Sequence, residues 1–257
     1  MNRTTRVKQY AFVVRELVAR EIKRKYARSY LGILWSVLNP LLMMIVMSAI
    51  FSTMFRRSIE NFPVYYLTGN IIYQLFSTAT STTMTSLVDN KQMLIKVKFP
   101  MKIFPLSRSV TALVNFGYSC VAYAAILLFF RIPLRAEMLF FPVIAAGAFL
   151  FSLGVSYILS VAYVFFGDIK HLYSVFLTLL MYCSAIFYPV DSISGWMHEF
   201  IIRNPIYNYI ACARSVMMYQ TMPAGMELVR MVVWSLGMYA VGQWIFKISK
   251  NKVMQKV

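Results

Sequence analysis

The sequence predicts an all-α integral membrane protein. Its parts are six transmembrane helices, an N-terminal amphipathic interface helix, a cytoplasmic helix between spans 2 and 3, and a re-entrant outer hairpin between spans 5 and 6. Three observations predict this. Of 257 residues 60% are hydrophobic and 14% charged, with mean hydropathy +0.63; soluble domains run nearer half apolar and about a quarter charged. Uncharged runs recur to the end of the chain, so a single membrane domain is expected over 1–257. The basic residues are distributed unevenly between the two sides of those runs.

Residues 1–30 are basic, with no apolar run and small-residue cleavage site, so no cleaved signal peptide is expected. Val7, Ala11, Val14, Val18 and Ile22 recur at three- and four-residue spacing, which predicts one helix face lying in the interface, with Lys25 then falling on that stripe. Residues 31–55 are uncharged and long enough to cross, with Trp35 near the inner interface and Pro40 expected to kink the helix. Arg56, Arg57 and Glu60 form a polar loop. Residues 63–87 form a second uncharged span, rich in Thr and Ser, which should pack in protein or line a wet path.

Residues 88–105 are a basic connector with two prolines, too charged for lipid and too apolar for an ordinary loop. Further spans are expected at 106–130, 139–166, 171–190 and 228–246, and the tail from Lys247 is basic. The outer segment 191–227 has apolar pieces too short to cross. Asn204-Pro205 divides it into two short helices of a re-entrant hairpin. With the N-terminus inside, nineteen of the 26 basic residues fall on that side and seven on the other, which places both termini in the cytoplasm. The same rule accounts for the net charge of +17 without nucleic acid.

The chain has no nucleotide-binding loop, no His-Glu-x-x-His and no paired-cysteine pattern; Cys120, Cys183 and Cys212 read as small buried apolar residues. No acidic residue falls in mid-span, which argues against a proton- or sodium-coupled carrier and against a transferase holding a metal–pyrophosphate. Tyrosines recur within the spans. Tyr73, Tyr118 and Tyr182, with Tyr188, are candidate linings of a path for sugars, since rings stack on pyranose faces while hydroxyls hydrogen-bond.

Three stretches carry a family resemblance. They are Lys25-Tyr26-Ala27-Arg28-Ser29-Tyr30-Leu31-Gly32-Ile33-Leu34-Trp35 with Asn39-Pro40; Leu94-Ile95-Lys96-Val97-Lys98-Phe99-Pro100 with Pro105-Leu106; and Asn204-Pro205 with Arg214. Over nearly its whole length the chain resembles the ABC-2-type permeases that export lipid-linked polysaccharides, such as O-antigen, capsule, wall teichoic acid and rhamnan. It departs from them at Gly167-Asp168-Ile169, where the family has Arg-Asp-Ile, and at Ala185-Ile186, where it often has Thr-Pro. No salt bridge or helix break is carried over to those two points.

The resemblance implies a homodimer in the bacterial cytoplasmic membrane with two separate ABC ATPase subunits, which bind the ATP and magnesium; this chain binds no cofactor. The connector would be the coupling helix, with Lys96, Lys98, Phe99, Pro100 and Lys102 facing the ATPase. The substrate would be a polyprenyl-pyrophosphate-linked glycan. Its headgroup would be drawn in by Arg24, Lys25 and Arg28, which can equally bind membrane lipid headgroups. Asn204, Pro205 and Arg214 would belong to the outer gate. An ABC-2 permease for a drug or lipid is the alternative, and a membrane-bound glycosyl or phosphoalcohol transferase a more distant one.

Overall fold

A computed structural model describes residues 3–55, 59–96 and 99–256. Lys98, Arg56 and Arg57 lie outside the described residues, as does the side chain of Val7. Among the described residues every regular element is helical. Helix α1 spans Arg3–Tyr26, and a 3₁₀ turn at Gly32–Leu34 leads into α2, Trp35–Phe51. Gly32 sits at φ +48, a backbone region that costs glycine little. The turn and α2 together cover 20 residues, about 30 Å of helix, which matches a bilayer core.

Helix α3, Phe62–Met84, is the centre of the fold. It packs on α2, on α6 (Ile103–Phe129), on α7 (Phe141–Phe165) and on α10 (Pro205–Met217). Val64, Leu67, Ile72 and Ala79 are fully buried in it. Among the described residues, four helical segments are long and apolar enough to cross a membrane: Gly32–Phe51, Ile103–Phe129, Ala136–Phe165 and Gly225–Lys256. Helix α3, at 23 residues, is longer than the first of these, but its hydroxyls dilute its apolar character. Most of those hydroxyls turn back onto the helix: Thr80, Ser81 and Thr82 donate to carbonyls three or four residues earlier.

The connector 88–105 is not one coupling helix. It is built of two short pieces, α4 (Ser86–Asp89) and α5 (Lys91–Lys96), with a turn leading into α6. Asn90 breaks the run: it leaves helical backbone geometry and its amide donates back to the Ser86 carbonyl at 2.8 Å. The fifth span, expected over 171–190, is also corrected. Helix α8 covers only Ile169–Tyr182, 14 residues or about 21 Å, too short to cross alone. The chain then leaves the helix, with Ala185 at φ +48 and Pro189 in extended backbone. The helix therefore ends shortly before Ala185-Ile186.

Beyond it lie α9 (Trp196–Arg203) and α10, which meet at Asn204-Pro205. The last correction concerns the tail. Helix α11 runs unbroken from Gly225 to Lys256, so the expected span 228–246 and the basic tail are one 32-residue helix. Phe246 and Val253, seven residues apart, stay buried on one side of it and hold the extension against a second core cluster that includes Leu17, Leu94 and Tyr157. Helices α7 and α11 cross with backbones in contact at Gly154 and Gly242. A Cβ on Gly242 would sit 2.3 Å from the Gly154 carbonyl oxygen.

Candidate functional site

A polar cleft of about 370 Å³ opens between α2, α3 and α6. Lys25 and Tyr26 border one end; Met181 and Phe187 border the other. The cleft is set up by Pro40. Proline has no N–H, so the Ser36 carbonyl four residues earlier loses its helical partner. Ser119 of α6 donates its hydroxyl to that carbonyl at 3.4 Å, which ties α2 to α6 across the cleft.

Asn115 organises the Lys25 end. Its side-chain oxygen accepts from Lys25 Nζ at 3.2 Å and from the Tyr26 hydroxyl at 3.3 Å, while its amide donates to the Thr111 carbonyl at 3.0 Å. The Tyr26 hydroxyl also pairs with Ser36 Oγ. Deeper in, Asn39, Asn70 and Gln74 line the cleft, and their side chains make no hydrogen bond among the described residues. Three free amides on the walls of a membrane-embedded cleft can exchange hydrogen bonds with a hydroxyl-rich ligand. The far end is closed by aromatic rings: Phe187 stacks on Tyr66 at 5.8 Å and on Phe51 at 5.9 Å, and Phe51 on Phe62 at 6.2 Å.

Behind that plug, Arg214 of α10 is buried and holds the broken segment after α8. Its Nη1 donates to the Ala185 carbonyl at 3.0 Å; its Nη2 reaches the Ile186 carbonyl at 3.2 Å and that of Tyr65 at 3.4 Å. Asn204 completes the hold. Its side-chain amide donates to the Cys183 carbonyl at 2.9 Å, and its oxygen caps α10 by accepting from Ile206 N. Non-helical backbone at this depth is stable only if its carbonyls are satisfied within the protein, and these two residues supply most of the donors.

At the opposite end of α3, Arg108 of α6 joins three elements. Its guanidinium lies 3.0 Å from Asp89 of α4 and 3.7 Å from Glu21 of α1, and also donates to the Thr82 carbonyl of α3 at 3.1 Å. Arg20 reaches Asn90 at 3.0 Å. The N-terminal helix and the start of the connector are thus clamped to the same side chain.

Residues 13–218 match the ABC-2 type transporter family. The chain belongs to that family. It is similar to the O-antigen export system permease protein RfbA of Myxococcus xanthus, 28% identical over 97% of this chain and 96% of the relative. It is 31% identical to the RfbA of Klebsiella pneumoniae over 79% of each chain. The polysialic acid transport protein KpsM of Escherichia coli is 22% identical over 94% of this chain and 95% of the relative.

Within this ABC-2 chain the residues singled out from sequence fall in four places. Lys25 is in the cleft, hydrogen-bonded to Asn115; Arg24 and Arg28 are exposed beside it. Of the connector residues, Lys96 is exposed, Phe99 packs on the second core cluster, Pro100 is half-buried, and Lys102 donates to Gln243 of α11. Burial, and then the neighbouring charge of Lys247, push the Lys102 pKa below its ordinary value. Asn204 and Arg214 come together around the broken segment, as described above, and Pro205 starts α10 next to Asn204. The four aromatics are not brought together in the cleft. Tyr73 is buried with its hydroxyl on the Leu177 carbonyl at 2.6 Å; Tyr182 is exposed; Tyr118 and Tyr188 are half-buried outside the lining. Their place is taken by Tyr26 and Tyr66. Asn70, Asn115 and Glu21 were not singled out from sequence. The two amides did carry a signal, being carboxamides inside uncharged spans, where polar side chains are costly.

Proposed function

We propose that this chain is the membrane-spanning permease subunit of an exporter of a polyprenyl-pyrophosphate-linked cell-surface polysaccharide. It works as a homodimer in the bacterial cytoplasmic membrane, both termini inside, with ATP hydrolysed by two partner ATPase subunits. The observation that carries this reading is the near end-to-end similarity to an O-antigen export permease, over 97% of this chain and 96% of that one. The cleft supports it: free amides at Asn39, Asn70 and Gln74 suit glycan hydroxyls, and Lys25 with Arg24 and Arg28 suits a pyrophosphate at the cytoplasmic mouth.

In this reading the connector, with Lys96 and Phe99 outward of the Arg108 clamp, seats the ATPase. Movement there reaches α1 through Glu21 and reaches α3 and α6 through Arg108. The outer hairpin gates the exit, with Arg214 and Asn204 holding its inner wall. The test is export in cells lacking the chromosomal copy. Supplying this chain restores surface polysaccharide, and a Lys25→Glu variant that still accumulates in the membrane does not. Full surface polysaccharide in the deleted strain would remove the reading.

A further inference from the structure

A second opening, separate from the polar cleft, runs between α1 and the start of α6. Ala11, Val14, Val18 and Ile22 form one wall, facing Ile103 and Leu106, around a volume of about 810 Å³. From Ala11 to Ile22 this wall is about 17 Å long, the reach of one extended acyl chain. The stripe that the sequence marks as membrane-facing is therefore not flat on the protein: Leu17 closes against the core beside it, and the groove stays open.

Two charged residues border the groove, Arg15 and Lys102. Lys102 is held by Gln243, one helical turn before Lys247, and the two lysines repel each other. Among the described residues no carboxylate pairs with Arg15, Lys102 or Lys247. An apolar groove at the membrane interface beside unpaired cations complements one kind of molecule, an acyl chain attached to an anion. We propose that the groove is a binding site for an anionic phospholipid of the surrounding membrane, with one acyl chain between α1 and α6 and its phosphate at the Lys102–Lys247 pair. Pro100 and Lys102 belong to the connector, so the bound lipid braces the last turn of that segment against α1.

The test uses the full-length chain in nanodiscs of phosphatidylcholine, with or without phosphatidylglycerol, and reads thermal unfolding together with lipid retention by native mass spectrometry. Phosphatidylglycerol should raise the Tm by about 5 °C and leave one tightly held molecule per chain. Ala19→Trp, which fills the groove from α1, should abolish both effects while leaving the Tm in phosphatidylcholine unchanged. Val110→Trp fills it from α6 and serves if the first variant does not accumulate. Lys247→Gln should weaken retention without changing the Tm in phosphatidylcholine. The proposal is overturned if phosphatidylglycerol has no effect, or if it stabilises the groove-filled variants as much as wild type. It is also overturned if equimolar polyprenyl phosphate displaces the retained lipid, which would make the groove a substrate site.

Discussion

The guanidinium of Arg214 lies over the ring of Tyr65, its central carbon 3.4 Å from the ring centroid. The same Tyr65 donates its hydroxyl to the Tyr188 carbonyl at 2.8 Å. Helix α3, the broken segment after α8 and helix α10 thus meet at two side chains. A buried cation without a carboxylate is tolerable here because neutral carbonyls and a ring face surround it.

Replacing Arg214 should therefore be costly. Arg214→Met orphans carbonyls of the broken segment, and a loss of about 3 kcal/mol in stability is expected, read by thermal unfolding in detergent. Arg214→Lys keeps the charge but cannot reach several carbonyls as a planar fork, so it should recover less than half of that loss. Wild-type stability for the lysine variant would show that the fork geometry is unimportant.

The α7–α11 crossing makes a contrasting prediction. At Gly154 an added Cβ would stand 2.4 Å from the Met238 carbonyl oxygen, a backbone atom that cannot swing away. Gly154→Ala should cost at least about 2 kcal/mol. Gly117 lies inside α6 with nothing within 4 Å of its missing Cβ. Gly117→Ala should be neutral or stabilise by about 0.5 kcal/mol, since glycine is a poor helix former. Equal behaviour of the two variants in one melting experiment would contradict the close crossing.

Arg108→Gln releases Asp89 and Glu21 together. Asp89 is partly exposed, so the stability change should stay near about 1 kcal/mol. Coupling should suffer more: ATP turnover of the assembled complex is expected to lose its response to substrate while assembly persists. Arg108→Lys, which keeps a cation facing Asp89 and Glu21, should recover part of that response. If the single variant keeps full substrate stimulation, the clamp does not transmit motion between the connector and α1.

Removing the free amides probes the cleft. Gln74 is exposed and Asn70 has no hydrogen-bond partner among the described residues, so leucine at either position should leave the melting temperature close to wild type. Export should fall on the order of tenfold per lost hydrogen bond to substrate. Undiminished export by the Asn70→Leu, Gln74→Leu double variant would move the path out of this cleft.

The membrane class, the central hydroxyl-rich helix and the division at Asn204-Pro205 were legible in the sequence because hydropathy, side-chain chemistry and proline geometry act locally. The break after Tyr182 was not, because it depends on Ala185 adopting φ +48, which is held by donors from Arg214 and Asn204 far along the chain. The expected sixth span stopped at 246 because the charge of the tail ends the hydropathic run; Phe246 and Val253 carry the helix further through contacts that sequence spacing alone does not reveal. Tyr73 read as a path residue because its hydroxyl needs a partner, and the partner turned out to be the Leu177 carbonyl. Asn70 and Gln74 went unnoticed because each is a single residue, and Asn39 entered only as part of a motif; only the fold brings the three to one opening.

The most direct test of the account is reconstitution of this chain, with an ABC ATPase subunit from the same genome, into sealed vesicles carrying a labelled polyprenyl-pyrophosphate-linked glycan. The account predicts a stable complex of two permease and two ATPase subunits. It also predicts ATP-dependent transfer of the glycan to the opposite face, lost on charge reversal at Lys96, Lys98 and Lys102 with the helices still folded. Failure of the chain to associate with or stimulate the ATPase, or transfer that proceeds equally without ATP, would contradict it.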